Sequence, residues 1–193
     1  MRKREFIKKA GLLSASALAA PSLGFNQGSV AESSGVVQNK AAMKLVIGSD
    51  HAGFPMKGPI IRLLQSWGYS VKDVGSFNPD PVDFPDIALL IAAEIKSGRA
   101  VRGIMVCGTG VGAAIACNKI HGIRAALCHD TYSGHQCVEH DNVNVLCMGA
   151  WIIGQSIAEE ILTNYLNAKF STEEQYRIRV QKLDQFDRVP PEK

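Results

Sequence analysis

Residues 102–112 read Arg102-Gly103-Ile104-Met105-Val106-Cys107-Gly108-Thr109-Gly110-Val111-Gly112, and this stretch decides the fold. A short apolar run ends on a cysteine, breaks into three glycines, and continues as small residues to Lys119. A buried strand, a tight glycine turn and a helix form the repeating unit of parallel α/β sheets. The same alternation extends in both directions. A β-rich run over 44–49 ends in the turn Asp50-His51-Ala52-Gly53. Apolar residues at 60, 61, 63, 64 and 67 predict a helix over 59–67, ended by Gly68. A strand over 69–74 follows, then a proline-rich loop, then a helix over 86–97 with Asp86 as its N-cap. Further strands are expected over 123–128 and 144–148, and helices over 131–140, 155–166 and 172–184. The expected fold is α/β and Rossmann-like, a three-layer sandwich with a five-stranded parallel sheet and helices on both faces. Ligands of such sheets bind at the carboxyl ends of the strands, where Asp50-His51, Cys107 with its loop, and His129-Asp130 all fall.

The bulk properties fit one soluble domain. Of 193 residues, 46% are apolar and 20% charged. The net charge is +3, and several of the positive charges lie in the first nine residues, so the remainder is nearly neutral. That excludes a nucleic-acid groove, which needs a basic face to neutralise phosphates. No apolar run is long enough to span a bilayer. At the N-terminus a basic segment (1–9) precedes a mildly apolar one (10–20) and then small residues, the order of an export signal. Lys3-Arg4-Glu5-Phe6-Ile7-Lys8 resembles the twin-arginine motif with lysine in place of its first arginine. The expected organisation is an export signal over 1–31, an unstructured linker over 32–42, the domain over 43–185 and a tail over 186–193. The expected location is periplasmic, with no membrane attachment after signal removal. Five cysteines, an odd count without short paired spacings, do not read as a disulfide framework.

Cys107 opens a glycine loop at a helix N-terminus, where backbone N–H groups and the helix dipole favour a negative group. That field lowers a thiol's pKa, which makes Cys107 a candidate base or nucleophile, against the plainer reading of a strand-ending structural cysteine. The Thr109 hydroxyl and the amides of Gly108, Gly110, Val111 and Gly112 are candidates to stabilise an enediolate. Gly108, Gly110 and Ala113 also fit a loose dinucleotide fingerprint, with Asp130 as the ribose carboxylate. That pattern follows the third strand rather than the first and is weak alone. His51, beside Asp50, and His140, in Glu139-His140-Asp141-Asn142, are candidates for proton transfer in opening a sugar ring. Cys128, His129, His135, Cys137 and His140 show no standard zinc spacing, so no metal is expected.

Taken together, Gly48-Ser49-Asp50-His51-Ala52-Gly53-Phe54, Asp83-Phe84-Pro85-Asp86, 107–112, Asn118-Lys119, Gly122-Ile123-Arg124-Ala125 and Glu139-His140 are far more specific than any one of them. In this order they resemble the ribose-5-phosphate isomerase B and galactose-6-phosphate isomerase family, over about 43–184. The resemblance implies a cofactor-free aldose–ketose isomerase, an intramolecular oxidoreductase acting through a cis-enediolate, whose glycine loop holds sugar rather than dinucleotide. It implies Cys107 as the base, Thr109 and the loop amides as the anion hole, His140 as ring opener, and Asp50 with His51 as substrate contacts. Ala113 stands where another branch carries a glutamate base, which places this chain with the cysteine branch. It further implies a homodimer whose site is shared, the C-terminal helix reaching into the neighbour. Three positions depart from the pattern. Asp141 stands for an asparagine, Trp151 for a phosphate-binding arginine, and Gln175 for the first of two arginines on the last helix, Arg179 remaining. The expected substrate is therefore a non-phosphorylated or unusual sugar. The alternatives are ordinary activity on a pentose 5-phosphate, a silent exported sugar-binding protein, and a nicotinamide-dependent oxidoreductase.

Overall fold

The computed structural model describes residues 43–187, so the expected signal, linker and final residues lie outside the described part. The elements, in order, are β1 Lys44–Ser49, α1 Phe54–Ser66, β2 Ser70–Asp73, α2 Phe84–Lys96, β3 Arg102–Cys107, α3 Val111–Asn118, β4 Ala125–Leu127, α4 Thr131–Asp141, β5 Val145–Gly149, α5 Gln155–Asn167 and α6 Glu174–Phe186. All strand pairs are parallel, in the order β2-β1-β3-β5-β4. The chain leaves β1 toward one edge and returns to build the other half from β3. The carboxyl ends of β1 and β3 therefore flank the switch point, where the loops diverge and leave room for a ligand.

Strand side chains alternate between two cores. Leu45, Ile47, Ile104, Val106, Leu146 and Met148 pack with Ile60, Leu64, Ile161, Leu162 and Tyr165. Val46, Met105, Val145, Cys147 and Cys107 itself pack on the other face with Ile87, Ile91, Ala113 and Cys117. Period-two alternation thus aims Cys107 at the layer of α2 and α3. Close approach of α2 depends on two glycines of that face: a Cβ at Gly48 would lie 2.6 Å from Ile87 and one at Gly103 2.8 Å from Ile91.

Three helix starts differ from expectation, the smallest shift being that of α6, which begins at Glu174 instead of 172. Helix α1 begins at Phe54, ahead of Pro59, and holds that proline inside it, while Pro55 occupies its first turn. Helix α2 begins at Phe84, with Asp83 rather than Asp86 at the N-cap and Pro85 in the first turn, where its missing N–H costs nothing. The loop before α2 is tied to α1 by Lys57. This buried ammonium donates to Asp73 at 2.6 and 2.8 Å and to the Ser76 carbonyl.

Candidate active site

Asp50, the residue after β1, is 4% exposed, and its Oδ1 accepts a 2.8 Å bond from the Gly53 amide. The same carboxylate accepts a hydrogen bond from the Cys107 thiol. The turn lies so close to β3 that a Cβ at Gly53 would sit 2.1 Å from the Val106 carbonyl oxygen. Cys107 is 8% exposed. Burial raises its thiol pKa, and the bond and charge of Asp50 raise it further, while the Gly110 and Gly108 amides pull it down. The helix-terminus reading predicted a lowered value, and the reverse holds. Desolvation and a neighbouring carboxylate outweigh the loop's donors.

The loop after Cys107 needs its glycines. Gly110 has φ 77°, and a Cβ there would lie 2.6 Å from Leu127. A Cβ at Gly112 would touch the Phe84 ring at 3.0 Å, and one at Gly108 the Trp151 ring at 2.8 Å. The Trp151 backbone N–H donates to the Gly108 carbonyl at 2.9 Å, and the residue is 72% exposed. Thr109 is exposed, and its hydroxyl oxygen faces the Val111 N–H at 3.4 Å. Val111, at the first turn of α3, is exposed as well. The exposed His51 leaves β1 beneath the loop before α2, its Nδ1 accepting from the Val82 N–H at 3.4 Å.

Two residues of this region have structural roles that the sequence did not assign them. Phe84 covers Gly112, and His129, at the end of β4, accepts the Gly149 N–H on Nε2 at 3.1 Å. Gly149 also backs onto the Thr109 carbonyl, at 2.7 Å from where its Cβ would be, so His129 helps fix the strand end that supports the loop. The signals were present as an aromatic before Pro85 and a histidine ending a strand, but neither reveals its neighbour.

His140, Asp141, Gln175 and Arg179 lie elsewhere. A crossover helix runs antiparallel to its strands, so the end of α4 returns to the sheet's amino edge. The contacts agree. Arg124, just before β4, donates to the Asn142 carbonyl at 3.0 Å and to Asp184 of α6 at 2.9 Å. His140 stacks on Tyr176 with centroids 3.9 Å apart, and the Arg179 guanidinium sits 5.7 Å from that ring. Gln175 bonds Glu173 at 2.8 Å. Six-residue β3 separates this cluster from Cys107 by about 16 Å of strand rise. Within one chain, Cys107 and His140 occupy opposite ends of the sheet. Of the residues weighed for a metal, Cys128 and Cys137 are buried in the core and His135 pairs with Glu139 outside it. Among the described residues no three such groups gather as a metal requires.

The chain matches the family described as Ribose/Galactose Isomerase over residues 45–183. It is 42% identical to "Ribose-5-P isomerase B" of Listeria innocua, over 67% of this chain and 87% of that one. It is also 42% identical to "D-erythrulose-4-phosphate isomerase" of Pectobacterium atrosepticum, over 66% and 85%. The solved structure of Clostridium thermocellum ribose-5-phosphate isomerase B superimposes with a TM-score of 0.74 at 40% identity, covering 76% of this chain and 98% of that one. These findings displace the dinucleotide reading of the loop. They also overturn the expected location: the relatives are isomerases of the B type, so the periplasmic assignment does not stand. The chain belongs to the Ribose/Galactose Isomerase family, with that family's Rossmann-like fold, and is an aldose–ketose isomerase.

Proposed function

We propose that the enzyme interconverts an aldose and a ketose that carry no phosphate, with Cys107 as the base, in a unit formed by residues 43–185. In this reading the Cys107 thiolate removes the proton from the carbon beside the carbonyl. The loop amides and the Thr109 hydroxyl stabilise the resulting cis-enediolate, and the thiol returns the proton to the neighbouring carbon. Asp50 and His51 hold substrate hydroxyls. The raised thiol pKa leaves less thiolate at neutral pH but makes that thiolate a stronger base. The expected consequence is a kcat/KM that climbs with pH, with its inflection above the ordinary thiol value of about 8.5. Asp50→Asn removes the adjacent negative charge and should move that inflection down, which a pH–rate profile reads directly. An unmoved inflection would separate Asp50 from the thiol.

The observation that carries the choice of substrate is Trp151, whose indole lies against Gly108 at the mouth of the loop. Each charge-assisted bond to a phosphate is worth roughly 1.5–3 kcal/mol. With Trp151 and Gln175 in place of two arginines, phosphate affinity should be weaker by roughly a hundredfold or more. An indole face suits the C–H face of a sugar, and its N–H a hydroxyl. Arg179 favours the second reading, an ordinary pentose 5-phosphate substrate, since it keeps one cation on α6. Comparing kcat/KM for free and phosphorylated members of the same aldose decides between them. We expect the free sugar to win, and a clear preference for the phosphorylated one restores the second reading.

The opposite placement of Cys107 and His140 supports a homodimer with shared sites. His140, Asp141, Gln175 and Arg179 of one subunit then complete the Cys107 end of the other, with His140 opening the sugar ring.

A further inference from the structure

We propose that the cavity between the first turns of α1 and α5 is a subsite for an apolar substituent on the sugar. The substrate then carries an alkyl or deoxy end where a sugar phosphate carries its anion. The inference rests on the uncharged-substrate reading above and deepens it. The cavity measures about 250 Å³ and is lined by Ala52, Met56, Pro59, Ala150, Trp151 and Gln155. None of its described lining residues is ionisable, and polar side-chain atoms come only from Gln155 and the Trp151 indole.

Position ties this space to the reaction. Ala52 follows His51 in the turn after β1, and Ala150 and Trp151 follow β5, whose last residue pairs with Cys107. The indole that lies against Gly108 is the same one that lines the cavity. A group bound on the loop therefore has the cavity as its neighbour. The α1 side offers an anion little. The Gly53 N–H already serves Asp50, Pro55 has none to give, and the Met56 N–H donates to the Gly53 carbonyl. Size sets the ligand. Pockets that enclose a whole small molecule run to about 300–1,000 Å³, so this one suits a side group of a sugar seated on the loop.

The test uses D-ribose, its 5-deoxy analogue, its 5-O-butyl ether and its 5-phosphate as probes, with kcat/KM from NMR-followed isomerisation. Calorimetric binding to the Cys107→Ser protein supplies the same ordering without turnover. Burial of about two of the butyl carbons should raise kcat/KM and affinity about tenfold over ribose. Met56→Trp fills the cavity and should bring that ratio to about one, whereas Met56→Ala widens it and should extend the gain to a longer ether. Because each ratio is taken within one protein, a loss of folded fraction cancels. A butyl ether that gains nothing over ribose, or a gain that Met56→Trp leaves intact, overturns the subsite while the uncharged-substrate reading survives. A preference for ribose 5-phosphate over all three overturns both.

Discussion

Cys107→Ser is expected to lower kcat by roughly 10²- to 10⁴-fold, the span a positioned general base contributes, with little change in sugar affinity. The hydroxyl keeps the shape of the thiol and can still donate to Asp50, but it is far less acidic, so the anion that takes the carbon-bound proton is lost. The side chain packs with Met105, Ala113 and Cys117, and serine fits there without enlarging any contact. The fold should therefore hold, which a denaturant titration verifies. Steady-state kinetics beside equilibrium binding separates the two effects. Near-wild-type turnover in the serine variant would remove Cys107 from proton transfer, and equal losses of turnover and affinity would make it a packing residue.

Mixing two inactive variants should restore activity. Cys107→Ala lacks the base and His140→Ala lacks the ring opener, and each homodimer is expected to be nearly silent toward cyclic sugars. If one subunit's His140 serves the other's Cys107, a heterodimer holds one intact site and one doubly defective site. Random exchange makes half the dimers hetero, so the mixture should recover about one quarter of wild-type activity. Topology keeps the two residues apart within one chain. Cys107 ends β3, while His140 precedes Asn142, whose carbonyl is bound by Arg124 at the start of β4. Co-refolding the variants and assaying the mixture reads the result. Recovery of nothing, with dimer exchange demonstrated, would mean that His140 does not act at the partner's Cys107.

Much of the framework was legible in residue order. The apolar runs of β1, β3 and β5 are fully buried strands and therefore nearly continuous in the sequence, and the glycine loop announced the strand-to-helix turn. Prolines misled at the boundaries. Pro59 read as a helix start because proline favours first turns, yet α1 begins earlier and keeps it inside. Asp86 read as a cap because it precedes an apolar run, although Pro85 ahead of it was itself the first-turn signal. The electrostatics of Cys107 were not legible. The loop donors that lower its pKa are its chain neighbours, but Asp50 comes from another strand and burial from the packing of α2 and α3. The placement of His140 at the opposite end of the sheet from Cys107 was equally hidden from the residue pattern, because a histidine before a β-strand carries no mark of which edge it reaches. Trp151 was identified as a departure in the sequence, and only folding revealed that its ring presses on Gly108.

The central claim is proton abstraction by this chain from the carbon beside a sugar carbonyl. Its most direct measurement is proton NMR of free and phosphorylated aldoses incubated with the enzyme in deuterium oxide. A free aldose is expected to become ketose with solvent deuterium entering at that carbon, and Cys107→Ser to slow both conversion and exchange by roughly a hundredfold or more. Tight sugar binding with neither exchange nor conversion for any sugar, or exchange at a near-wild-type rate in Cys107→Ser, would contradict it.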